Sequence, residues 1–299
     1  MIKPLIPLFV LVLLCGCGKP DQPAALNGTP KRIISLAPNI TETIYALGLG
    51  DKLVGATTHC TYPAAARALP RIGGFGQFNY EALVSLKPDL VILHREYDID
   101  KARLAGLGIP YLETGTYFIA DIIETIQSVG TACGAQAPAR ELIDKLEGRI
   151  SEFEPTGTNQ PRVLITFGVG DTGPIQAFGP ECIHNELLGI AGGKNVVEGR
   201  LPFTALSREA VLRLNPDIII ILAPELEPTE ELPGQWEKLG AVNAVKNNRI
   251  HLLTGDYTCI PGPRFIQTLE DFAEIILQNN EGQNNSDMKE SSQQKSFCP

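Results

Sequence analysis

The sequence predicts an α/β protein built as two Rossmann-like lobes joined by a single long helix. Three observations predict it. Short apolar runs bounded by turn residues alternate with stretches of helical periodicity, the pattern of largely parallel sheets covered by helices. The stretch Glu81–Ile92 recurs as Glu209–Ile220 at a constant offset of 128, with Glu, Ala, Leu, Pro and Asp in register. Between the copies, Pro138–Phe153 places Leu142, Leu146, Ile150 and Phe153 at helical spacing with Ile143 beside them and charge elsewhere.

Taken from the N-terminus, Lys3 and the apolar run Leu5–Leu14 lead into Leu14-Cys15-Gly16-Cys17. The run is too short for the roughly 20 residues of a membrane-spanning helix. It reads as a secretory signal over 1–16 with a lipoprotein cleavage box, small Gly16 sitting where the peptidase needs a small side chain. Cys17 becomes the lipid-bearing N-terminus and the only membrane anchor, which places the body outside the cytoplasm, in a periplasm or on the outer face of the cell membrane. Residues 17–30, rich in Pro, Gly, Ala and Asn, form a tether. Residues 279–299 hold almost no large apolar groups and read as a disordered tail.

The first lobe, 31–137, has strands at Arg32–Leu36, Leu53–Thr57, Leu90–Leu93 and Tyr111–Glu113 and helices at Ile40–Leu47, Asn79–Leu86 and Ile119–Cys133. The connecting helix occupies 138–155, with proline near its first turn and Pro155 at its end. The second lobe, 156–278, has strands at Arg162–Phe167, Ile218–Leu222 and Arg249–Leu253 and helices at Ile183–Ala191, Ser207–Leu214 and Arg264–Gln278. The repeated unit is a short helix stopped before Pro88 or Pro216, because the residue before proline resists the α region, followed by a buried strand. A second echo sets Leu112 with Thr114-Gly115 against Leu252 with Thr254-Gly255.

A net charge of −9 argues against a nucleic-acid partner, whose phosphates demand a basic surface. After lipidation of Cys17, the cysteines Cys60, Cys133, Cys182, Cys259 and Cys298 remain, an odd number; Cys182 with Cys259 is a candidate disulfide. No C-x-x-C and no metal-type Cys/His spacing occurs, so neither a metal site nor a cofactor is predicted. Gly168-Val169-Gly170-Asp171-Thr172-Gly173 matches a dinucleotide fingerprint in letters alone, since Pro174 and Gly179-Pro180 interrupt the helix that must follow. No catalytic residue is predicted: there is no nucleophile elbow, no H-E-x-x-H, and the four histidines are scattered. An exported hydrolase is the alternative of a different class.

Arg32–Glu42, Tyr62-Pro63, Gly73-Gly74-Phe75 with Asn79-Tyr80-Glu81, and Leu86–Ile92 carry a resemblance that Ala191–Asn195 and Ser207-Arg208-Glu209 continue into the second lobe. Together they resemble the helical-backbone class of periplasmic substrate-binding proteins of ABC importers, and most nearly its cobalamin-binding branch. The resemblance implies a ligand cleft between the lobes, a corrinoid as ligand with a ferric siderophore or haem as runner-up, and a permease dimer as partner. The positions that fall at the ligand contacts are His59, Phe75 and His94 in the first lobe and Phe203 and Asp256 in the second. Phe75 and Phe203 keep a stacking face, while the two histidines keep less of one. Tyr62 reads either as a turn-packing tyrosine or as a cleft wall. The resemblance also implies that Glu81 and Glu209, at matched places in the two lobes, meet arginines of the permease; capping of their own helices is the simpler role for either glutamate alone.

Overall fold

A computed structural model describes residues 25–26, 28–74, 76–153, 160–167, 173–224 and 236–278. Cys17, Phe75, Cys298, most of the tether, the fingerprint-like loop at 168–172 and the tail at 279–299 lie outside the described residues.

The first lobe runs β1 (Ile33–Ser35), α1 (Pro38–Ala46), β2 (Leu53–Ala56), β3 (Gly73–Gly74), β4 (Gln77–Phe78), α2 (Tyr80–Ser85), β5 (Leu90–His94), α3 (Asp98–Gly106), β6 (Tyr111–Thr114) and α4 (Ile119–Cys133). Helix α5 (Gln136–Ser151) follows and packs on α4. The second lobe runs β7 (Arg162–Phe167), β8 (Ile175–Phe178), α6 (Ile183–Ile190), β9 (Lys194–Asn195), β10 (Phe203–Leu206), α7 (Arg208–Leu214), β11 (Ile218–Leu222), α8 (Asn243–Lys246) and β12 (Ile250–Leu253), and ends in α9 over 265–278.

The first sheet has order β2-β1-β5-β6, all parallel. The second has order β10-β8-β7-β11-β12; β7, β11 and β12 are parallel, β8 and β10 antiparallel, and β9 pairs with the start of β7. In each sheet the winding reverses beside the first strand, between β1 and β5 and between β7 and β11. Such reversals open a crevice at the carboxyl ends of the strands.

The repeat seen in the sequence extends to hydrogen bonds. Arg32 donates to the Leu86 carbonyl at 2.7 Å, and its own backbone exchanges bonds with Asp89, whose carboxylate accepts at 2.8 Å. Arg162 does the same with Leu214 at 2.6 Å and Asp217 at 3.1 Å. Lys87 and Asn215, each before a proline, both take positive φ, 48° and 43°. Asn79 and Ser207 cap α2 and α7 by accepting from the N–H three residues on.

Side chains alternate across each sheet, so one lobe contributes to two layers. Ile34, Leu36, Val91 and Leu93 join Ile72, Leu83 and Leu104 on the outer face of the first sheet. Ile33, Leu90 and Ile92 face α1 and α4, and their core continues without a break through Ile143 and Leu146 of α5 to Val163, Ile165, Ile218, Ile220, α6 and α9. The remaining face of the second sheet packs Leu164, Ile219 and Ile221 against Trp236 and Val242. Fully burying each such aliphatic side chain contributes roughly 1.5–3 kcal/mol.

The structure departs from the sequence reading at several points. The segment Asp98–Gly106 is a helix despite its charged, weakly amphipathic composition. β8 and the edge strand β10 are too short to announce themselves, and β10 has no fully buried side chain. Cys182 is buried with its thiol donating to the Gly179 carbonyl at 3.2 Å, and the candidate bridge to Cys259 is not formed.

Candidate ligand-binding site

The site is assembled from strand ends and the helix starts that follow them. At the first reversal, β5 ends on His94 and α1 begins beside Asn39, and the His94 Nε2–Asn39 Oδ1 bond of 2.9 Å spans the crevice mouth. Helix α1 forms without a side-chain cap because Pro38 fixes the dihedral of its first turn. The His94 ring lies 5.4 Å from Tyr97, which in turn lies 5.6 Å from Phe78. Burial pushes the imidazole down to about 4, so at neutral pH it is uncharged.

Asn39 also brings α1 under the second lobe. Three residues on, Glu42 is buried at the lobe boundary and takes a forked contact from Arg264, with Nε at 3.0 Å and Nη2 at 2.5 Å from its two oxygens. Arg264 spends Nη1 on Asp256, at 2.7 Å, and lays its guanidinium over the Tyr62 ring at 3.8 Å from the centroid. Burial pushes the Glu42 carboxyl up and Arg264 pulls it partly back. Burial opposes the charge on Arg264, yet the two carboxylates outweigh it and hold the proton more tightly than on a free guanidinium. One cation faces two carboxylates, so the cluster is net negative.

At the second reversal, β7 ends on Phe167, which is exposed on the same face as buried Val163 and Ile165. That face continues across the antiparallel edge, where Phe203 opposes Phe178 edge-on at 5.3 Å. Phe178 packs at 4.1 Å on His184, whose Nε2 donates at 2.7 Å to the Thr258 carbonyl, in the turn that opens with Asp256. A chain of contacts therefore runs from Phe203 to Asp256.

The structure thus brings Tyr62, His94 and Asp256 to one lobe boundary and joins Phe203 to it through Phe178 and His184. His59 is exposed on the rim, where a Cβ added at Gly74 would stand 2.9 Å from its ring. Tyr62 remains 44% exposed. Glu81 and Glu209 are exposed on α2 and α7, away from this boundary. Sequence reasoning missed Glu42, Arg264 and Phe167. Arg264 did carry a signal: a cation directly before a helix opposes the positive end of the dipole and needs a carboxylate from elsewhere. Among the described residues, no group of three or more His, Cys, Asp or Glu side chains could hold a metal ion, and no helix is long and apolar enough to cross a membrane.

A family model described as periplasmic binding protein matches residues 33–257. An uncharacterized ABC transporter substrate-binding lipoprotein, YvrC of Bacillus subtilis (strain 168), is 28% identical over 301 residues, covering 90% of this chain and 94% of that protein. A vitamin B12-binding protein of Pectobacterium carotovorum subsp. carotovorum (strain PC1) is 30% identical over 204 residues, covering 66% and 73% respectively. Among solved structures, the periplasmic heme-binding protein RhuT from Roseiflexus sp. RS-1 superimposes with a TM-score of 0.72 at 29% identity, covering 84% of this chain and 99% of that one. With the family model spanning both sheets and the crevice between their reversals, the chain belongs to the periplasmic binding protein family, as a helical-backbone substrate-binding protein of an ABC transporter and not an enzyme.

Proposed function

We propose that this substrate-binding protein is an extracytoplasmic lipoprotein, anchored through Cys17, that binds a corrinoid of the cobalamin type between its lobes and delivers it to a dimeric ABC permease. The observation that carries the ligand class is the boundary cluster. Its single cation, Arg264, is already matched against Glu42 and Asp256, and the half-exposed Asp256 is an acceptor. Such a wall suits a large neutral ligand rich in amide N–H groups better than a carboxylated one. Around it, Tyr62, Phe167 and Phe203 offer exposed flat faces. A macrocycle covering them gains about 25 cal/mol per Å² of apolar area, less the cost of association. The family resemblance adds His59 and Phe75 to the set. The vitamin B12-binding relative supports the same choice.

Haem is the second reading, favoured by the heme-binding neighbour and by exposed His59 as an axial ligand. His94 suits that role poorly, since Asn39 already engages its Nε2. An anionic ferric siderophore, like haem with its carboxylates, calls for cationic partners. Titration of the mature protein with cyanocobalamin, cobinamide, haemin and a ferric siderophore separates these readings. The proposal requires corrinoid binding; its absence at concentrations on the order of tens of micromolar, where even weak specific sites fill, overturns it. A Soret shift with haemin that is lost in His59→Ala would establish haem instead. The anchor is tested apart from the ligand: Cys17→Ser should move the protein from the membrane to the soluble fraction and abolish palmitate labelling, and equal labelling of the variant would refute the anchor.

A further inference from the structure

We propose that Arg264 is a positioning residue, clamping the two lobes and holding the Tyr62 ring and the Asp256 carboxylate as one wall of the ligand site. The inference rests on the reading that the ligand lies between the lobes. Three features of the geometry carry it. First, the guanidinium edge is divided between lobes: Nε and Nη2 go to Glu42 of α1 and Nη1 to Asp256 beyond β12. Its planar fork matches a carboxylate at two points, which fixes direction as well as distance. Second, its face stacks on the Tyr62 ring, and Tyr62 stays 44% exposed, which leaves surface for a ligand. Third, the segment carrying Arg264 approaches α1 so closely that a Cβ at Gly262 would stand 3.2 Å from Asn39 Cα and 3.3 Å from Glu42 Oε2.

Lysine cannot replace this residue. A compact ammonium has neither the fork for Glu42 nor the flat face for Tyr62, and it cannot meet Glu42, Asp256 and the ring at once.

The test has two arms. In unliganded protein, hydrogen exchange is followed in Arg264→Lys and in the paired Glu42→Gln/Arg264→Gln variant, which leaves no buried charge unmatched and so keeps folding intact. Amides at 39–42 and 256–262 should exchange about tenfold faster, while those of β7 and β11 stay unchanged; equal acceleration everywhere, or none, overturns the clamp. In the second arm, Tyr62→Ala and Asp256→Ala are each combined with the paired variant, and affinity for cyanocobalamin and haemin is measured. Each substitution alone should weaken whichever probe binds by about 3- to 30-fold, the range of a desolvated cation–π or charge-assisted contact. In the paired background each should have almost no further effect, because the wall is already lost. Additive effects would assign Arg264 a general structural role and overturn the proposal. If neither probe binds the unaltered protein, the ligand reading fails, and the exchange arm alone decides the clamp.

Discussion

Two imidazoles, buried His184 and half-buried His94, couple the stability of this protein to pH. His94 and His184 are both held near 4, against an ordinary value of 6.5, because burial disfavours their charged forms. The His184 Nε2 donates to Thr258, and its buried Nδ1 has no hydrogen-bond partner among the described residues, so a proton there would be left unpaired by them. The unfolded chain takes up protons below about 6.5 that the native protein accepts only near 4. Stability is therefore flat above pH 7 and falls as pH drops through that window, by about 1–3 kcal/mol per histidine. Urea midpoints at pH 7.5 and 5.0 check this, and His184→Gln should flatten the dependence. At the ligand wall, Phe203→Ala should weaken binding about 3- to 10-fold through lost stacking area while leaving the melting temperature nearly unchanged, since its ring is half exposed; a calorimetric titration would detect an unchanged affinity and refute the role. His94 and Asp256 are named through the family resemblance, and the sequence leaves Tyr62 between a turn-packing role and a cleft wall. Glu42 and Arg264 could not be paired, because 222 positions separate them and only the folded lobes make them neighbours.

The repeated helix–proline–strand unit is the element that the sequence displayed most fully, since its punctuation is local: a cap, a proline and an apolar strand. What the letters hid is that both copies are tied down by an arginine from the preceding strand start. The short antiparallel strands β8 and β10 and helix α3 stayed hidden because tertiary pairing, not local pattern, makes them. In each copy a polar side chain, Asn79 or Ser207, already caps the helix, so capping does not require the glutamates. Glu209 is held low first by its own backbone N–H and then by Ser207, which ties it locally, but it remains exposed. Docking of Glu81 and Glu209 to a permease therefore remains our proposal. Glu81→Ala/Glu209→Ala should abolish transport in reconstituted vesicles and leave ligand affinity within about twofold, since neither glutamate is at the lobe boundary. Normal transport would return both residues to helix capping. The same unit predicts a stabilising change: Lys87 occupies the left-handed region at φ 48°, so Lys87→Gly should raise the unfolding free energy by up to about 1 kcal/mol if relief of strain exceeds the added chain entropy.

At the scale of the whole molecule, the joint between the lobes governs how the protein can respond to ligand. A continuous helix whose one proline, Pro138, lies in the first turn resists bending, and Gly148 is the weak point of α5, exposed to open space. The structure adds further restraints that periodicity could not reveal. One apolar core runs from Ile33 and Ile40 through Ile143 and Leu146 to Phe265 and Phe272. The Ile119 N–H at the start of α4 donates to Glu186 of α6 at 2.7 Å, a carboxylate placed at a helix N-terminus, and Arg149 of α5 pairs with Glu270 of α9. A hinge motion of many degrees would have to open that core and separate these pairs together with Arg264 from Glu42. We therefore expect ligand binding to move the lobes by little more than side-chain adjustment at the boundary. Small-angle scattering of the mature protein, with and without saturating ligand, should show radii of gyration that agree within experimental error. A contraction of more than about 1 Å, on a radius near the ~19 Å of a compact chain this long, would show that α5 bends and that the shared core is not the restraint argued here.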